Sequence, residues 1–373
     1  MDIPPTTPPT TPPNDTSKIK IDSTLDRVFS ILHGGSLKSS IANTLYGINH
    51  RQSAALVPHN RDHHGLTFFT RPQLNMLSDN IRNLRKLYSL LTTNEASMQR
   101  YVRCMLDPRL NNGFNIAGRN VPALHCPVVD PKQAFIPILT NNLESCSGWP
   151  DIAVPTYTST SGMYKEAYSQ VAGIVENYEA WDLDCTFSNK RGDMIAYMMY
   201  IWEYYSSAVF QGTLVPYPDM LVENEIDYMT RIWRLTLDQN RKRVTKIACT
   251  GVAFPVSNPT GAFFDFQRDK PFDNQNMDIS IRFKALGFNV FDPILLEEFN
   301  SCVGIFNPSM RDANRADDMI RIPDEYVTYF NNRGYPRIDP STDNLEWWID
   351  NDTFAIRRAE VDTLMGIAEK NGA

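Results

Sequence analysis

The 373-residue chain predicts an α+β protein: an antiparallel β sheet packed by a helix, preceded by a small helical domain. Three observations carry that class. DISIRFKALG, at 278–287, alternates Ile279, Ile281, Phe283 and Ala285 against Asp278, Ser280, Arg282 and Lys284, the period of a strand with one wet face. WDLDCTF at 181–187 and RIWRLTLD at 231–238 alternate in the same way, where a buried parallel sheet would show continuous apolar runs. Between those two lies DMIAYMMYIWEYYSSAVF, in which Met194, Met198, Ile201, Trp202, Tyr205 and Val209 fall on one helical face.

Taken in order, residues 1–20 hold PPTTPPTTPP, which cannot bury a core and reads as an extended, polyproline-like arm. From 21 to 125 the pattern is helical. Ser23 with Asp26 resembles a capping box, and Leu25, Val28, Phe29 and Leu32 form a stripe closed by Gly34-Gly35. Leu37, Ile41 and Leu45 form a second stripe. After a polar loop, PQLNMLSDNIRNLRKLYSLL (72–91) is read as one helix with Leu77, Ile81, Leu84, Tyr88 and Leu91 on a face. Met98, Tyr101, Val102 and Met105 make another, ended by Asp107-Pro108.

Residues 111–160 read as a connector with one or two short strands, and a helix is expected over 163–178 before WDLDCTF. A polar turn at 239–242 joins RIWRLTLD to VTKIACTGVAFPV. Residues 311–373 are polar and rich in Tyr and Asn, ending in a helix from Thr353 with Ile356, Leu364 and Ile367 on its apolar side. The organisation expected is therefore an arm at 1–20, a helical domain at 21–125, an α+β domain at 126–310 and a polar extension at 311–373.

Charge divides along the same lines. The net −7 resolves into +6 over 21–125, −8 over 126–310 and −5 over 311–373, so complementary surfaces in an assembly, or a nucleic-acid face, are both open. No apolar run approaches the ~18–20 residues that span a bilayer, and no membrane partner is expected. The N-terminus has neither a basic n-region nor an apolar h-region, so it does not read as a secretory signal. Six scattered cysteines with no CxxC pair suit reduced thiols in a cytosolic product.

Candidate chemistry is thin. Asp182-Leu183-Asp184-Cys185-Thr186 fits the D-x-D-x-[TV] pattern of aspartate-nucleophile phosphatases, with Asp182 as nucleophile, Asp184 as acid/base and Mg²⁺ on the phosphate. That chemistry needs a Val/Ile/Leu run before Asp182, and the chain has Asn177-Tyr178-Glu179-Ala180-Trp181 there. An amphipathic strand explains the stretch better, and a metal-dependent phosphatase or hydrolase stands as the alternative. His59 and His63, with Asp62 and His64, could ligate a metal from a helix, but Pro58 and Gly65 bracket them. His125-Cys126 adjoin in sequence only. A basic face of Arg82, Arg85, Lys86, Arg100 and Arg103 is the candidate nucleic-acid surface. No phosphate-binding glycine loop and no GxSxG elbow occurs. No catalytic residue, cofactor or metal is assigned.

WDLDCTF, the helix with WEYY, RIWRLTLD, TGVAFPVSNPTG and DISIRFKALG, in that order over 181–290, resemble the tube domain of contractile-tailed bacteriophages. The resemblance implies a non-enzymatic virion protein whose strands join neighbouring subunits into a hexameric ring. It implies assembly through Leu183, Trp233, Leu235, Ile279, Ile281 and Phe283, with Asp182, Asp184, Arg282 and Lys284 facing a lumen through which DNA only passes. The chain is longer than a plain tube protein. The added segments suit a specialised ring at the tube–baseplate junction, a tube initiator or cap, whose partners are other tube and baseplate proteins. A neck or tail terminator ring is the alternative position.

Overall fold

The computed structural model describes residues 65–364, apart from 117–118, 176–178, 224, 265–276 and 293. The Pro/Thr arm, the stripes of 22–45 and the cluster of His33, His50, His59, His63 and His64 lie outside the described residues, as does Ile367. The strands are β1 Gly65–Phe69, β2 Phe114–Ile116, β3 Arg119–Val121, β4 Leu143–Ser147, β5 Thr156–Thr158, β6 Ser169–Val171 and β7 Ala180–Ser188. They continue as β8 Ile232–Leu237, β9 Val244–Ser257, β10 Asp278–Val290, β11 Met319–Arg321, β12 Tyr335–Ile338 and β13 Leu345–Asp350. The four main helices are α1 Met98–Leu106, α2 Met194–Phe210, α3 Leu295–Phe306 and α4 Asn351–Leu364.

The α+β class holds. Six strands form one antiparallel sheet in the order β1-β8-β9-β10-β7-β4, curled into a half-barrel. Gly251 and Gly287 face each other across β9 and β10. A Cβ on Gly251 would sit 2.9 Å from the Leu286 carbonyl, and Gly287 has φ +71°, so both positions need a residue without a side chain.

The core changes faces across this sheet. Adjacent strand residues point to opposite faces, and Phe69 and Ile232 enter one apolar cluster while Phe68 and Trp233 enter another. Over β7 and β10 the first cluster packs Leu183, Phe187, Ile279, Ile281 and Phe283 against Met198, Ile201, Trp202 and Tyr205 of α2. Over β1, β8 and β9 the opposite face packs Trp233, Leu235 and Ile247 against α3, with the Phe299 ring 5.5 Å from those of Phe68 and Trp233. Each such buried aromatic or branched side chain contributes roughly 1.5–3 kcal/mol.

Several expected elements fold differently. The 72–91 helix breaks into an extended run to Leu77, a single turn at Ser78–Ile81 and a 3₁₀ stretch at Arg85–Leu91. The extended run gives its N–H groups to distant partners: Gln73 to the Asp227 carbonyl, Leu74 to that of Leu106, Asn75 to the Tyr205 hydroxyl and Met76 to Asp107. With its donors satisfied by tertiary contacts, the segment has no need of a helix. The predicted 21–125 unit also supplies β1 to the sheet and shares the first core cluster with α2. The polar extension is folded: β11-β13-β12 form a small sheet behind α3, joined to it by Asn300, which both accepts from and donates to the Ile338 backbone. In α4 it is Phe354 and Val361 that are buried, and Ile356 is exposed.

Candidate assembly surface

Opposite the first cluster, β7 and β10 present their other face to water. Asp184 pairs with Arg282 and Asp182 with Lys284, directly across the ladder, each with a 2.9 Å ion pair. Alternation forces this: residues between the buried Leu183, Cys185, Ile281 and Phe283 can only face outward. The hydrogen bond from Lys284 holds the Asp182 carboxyl below the usual range, and the bond to Asp184 raises the Arg282 guanidinium. The four charges cancel in pairs, so this patch is strongly hydrated but not itself acidic.

That placement answers the phosphatase pattern. β7 is antiparallel to both neighbours, and the two aspartates sit mid-strand, half-exposed and ion-paired, not at the carboxyl end of a parallel strand. Among the described residues no group of three His, Cys, Asp or Glu is placed to hold a metal. The basic face is divided as well. Arg100 and Arg103 are buried, and Arg103 donates to the Met76 carbonyl and to Ser78 Oγ, while Lys86 lies over the Tyr204 ring.

Leu183, Trp233, Leu235, Ile279, Ile281 and Phe283 are all at most 1% exposed, in two clusters on opposite faces. They close the core of a single chain. What the sheet can offer a neighbour is its ends: β1 on one side and β4 on the other, the latter exposing Glu144, Ser145 and Ser147.

The feature missed in the sequence lies between β4 and β7. Over the described part of the expected 163–178 helix, residues 163–175, the chain instead belongs to a hairpin arm, β5 pairing β6 with Thr156 opposite Val171 and Thr158 opposite Ser169. Lys165 takes φ +62° at its tip, which a helix forbids. The arm carries Ile152, Val154, Tyr157, Met163, Tyr164, Tyr168, Val171 and Ile174, every one exposed, Met163 by 93%. None enters a core cluster. An isolated two-stranded hairpin is marginal in water, and a run of bare apolar side chains of this length marks a contact surface. The signal was present as single Tyr, Val, Ile and Met residues spaced among Pro, Ser and Thr, without helical period.

An open groove of about 370 Å³ lies between α2 and β9, lined by Glu203, Phe210, Tyr228, Phe254, Pro255 and Val256. Burial pushes the Glu203 carboxyl up to about 7, and its Oε1 has no hydrogen-bond partner among the described residues. Glu203 is the one carboxylate in that lining, which holds no histidine or thiol among the described residues.

A family model described as "Putative phage tail tube protein" matches residues 5–362. Solved structures similar to the chain include the tube-terminating cap of the anti-feeding prophage, at 16% identity over 42% of this chain and 81% of that one, with a TM-score of 0.25. Two more come from the PVC extracellular contractile injection system in its extended state. Its sheath/tube terminator is 12% identical over 42% and 86%, TM-score 0.24. Its sheath–tube complex is 15% identical over 42% and 82%, TM-score 0.24. No curated protein matches.

Proposed function

The chain belongs to this phage tail tube protein family and is a structural component of a virion tail, and from that premise we propose that it forms a closed hexameric ring at the tube–baseplate junction of a contractile tail. There it initiates or caps the tube. The observation that carries the reading is the arm between β4 and β7, whose exposed apolar side chains enter no core cluster among the described residues and on this reading are covered by a neighbouring subunit. A ring also removes sheet ends: strands added at β1 and β4 by neighbours would leave neither open.

In such a ring the paired charges of Asp182, Asp184, Arg282 and Lys284 face the lumen. A wall that is wet yet locally neutral neither binds nor traps DNA in transit. The folded C-terminal sheet of β11, β12 and β13 is the surface for unlike neighbours, the other tube and baseplate proteins.

Negative-stain microscopy with solution mass, followed by gold labelling of the protein in intact virions, tests the proposal. Six-fold rings and label confined to the baseplate end of the tube are expected. Label along the whole tube, or at the neck, overturns the position. A chain that remains monomeric with its baseplate partners present overturns the ring.

A further inference from the structure

Two thiols meet at the root of the arm. Cys146 in β4 lies directly opposite Cys185 in β7, and their sulfurs are 3.7 Å apart. Residues opposed in an antiparallel ladder have Cα atoms about 4.5–5.5 Å apart, inside the window a disulfide requires. Cys185 is fully buried, and Cys146 is partly buried in β4 at the sheet's end, so Cys146 is the less enclosed of the two.

We propose that Cys146 and Cys185 form a modification site, which a small-molecule disulfide such as oxidised glutathione converts into a cross-strand cystine. The inference rests on the β4–β7 pairing alone and stands whether or not the chain forms a ring. Cys146, as thiolate, attacks one sulfur of the oxidant, releasing one glutathione thiolate and leaving a mixed disulfide. Cys185 loses its proton and attacks Cys146 Sγ, expelling the second glutathione. Two protein thiols and one disulfide become one protein disulfide and two free thiols.

The site favours that order. Cys185 donates a hydrogen bond to Cys146 Sγ, which lowers the Cys146 thiol, with Trp149 and Arg234 adding to the effect against burial. Burial instead pushes Cys104 and Cys249 up to about 12 and Cys302 up to about 11. The bond would matter because β4 is held to β7 by four residue pairs with a register shift between Leu143 and Ser145, and the exposed arm springs from between them.

The test treats the reduced full chain with oxidised glutathione, quenches in acid, alkylates under denaturing conditions and maps peptides without reduction. Four alkylated cysteines, a peptide linking 146 to 185, and a melting temperature raised by about 5 °C and reset by dithiothreitol are expected. Cys146→Ser should show neither linkage nor shift. Six alkylated cysteines, a persistent glutathione adduct on Cys146, or linkage among the other four overturns the proposal. The wild-type map decides even if the variant fails to fold.

Discussion

Asp107 shows how one buried side chain organises its surroundings. It is fully enclosed, accepts from Tyr217 and the Met76 N–H through one oxygen, and from the Arg109 and Leu110 N–H groups through the other. Burial raises its carboxyl to about 6 against those four bonds, and burial likewise raises Asp227, bonded to Tyr205, to about 6. A carboxyl raised above its ordinary 3.8 is protonated more readily folded than unfolded, so its contribution is greatest below pH 4 and is lost as pH rises through 6. Asp107→Asn should flatten part of that slope between about pH 4 and 6 in melting curves. It should also lower stability at pH 7 by about 1–3 kcal/mol, because an amide nitrogen faces two donors. At the opposite extreme, Asp182→Asn breaks only an exposed pair, and melting temperature should not change measurably. Phe283→Asp places a charge in the first cluster beside Phe69. Loss of more than about 4 kcal/mol is expected, seen as an insoluble chain or absent near-ultraviolet dichroism.

At the scale of elements, Arg71 ties the residues after β1 to α1 and to the loop at 130–134, with no carboxylate bonded to it among the described residues. Its guanidinium donates to the carbonyls of Met105 and Cys104 at the end of α1 and of Gln133 in the following loop, while its backbone N–H bonds Ala134. Burial brings that guanidinium down to about 10, still charged at neutral pH. Arg71→Met would fill the space but orphan these carbonyls. A loss of about 3 kcal/mol or more is expected in a urea titration. The same contacts explain why 72–77 stays extended: a strand end clamped by Arg71 delivers its next N–H groups to Asp227, Leu106, Tyr205 and Asp107 before a helix can form.

For the whole molecule the decisive asymmetry is between a sheet whose apolar faces are covered from within and an arm that no core cluster among the described residues covers. Replacing 151–175 by a short Gly/Ser linker should leave thermal stability nearly unchanged, because none of those residues joins a core cluster. It should abolish ring formation, read by solution mass and microscopy. Rings that assemble normally without the arm would assign the contact elsewhere.

The sequence by itself determined the alternating strands at 181–187, 232–237 and 278–285, the long helix across 194–210 and the outward charges between them. Period-2 and period-3.6 patterning is local, and each residue there carries its own face. Tertiary structure alone decided that Trp233 and Ile281 serve different clusters on opposite faces, because a curled sheet can be covered on alternate sides along its width. It also decided that 72–77 is extended, that Arg100 and Arg103 turn inward, and that 163–175 is a hairpin rather than a helix. Each of those outcomes depends on a hydrogen-bond partner or a missing core dozens of residues away, which no window of sequence contains.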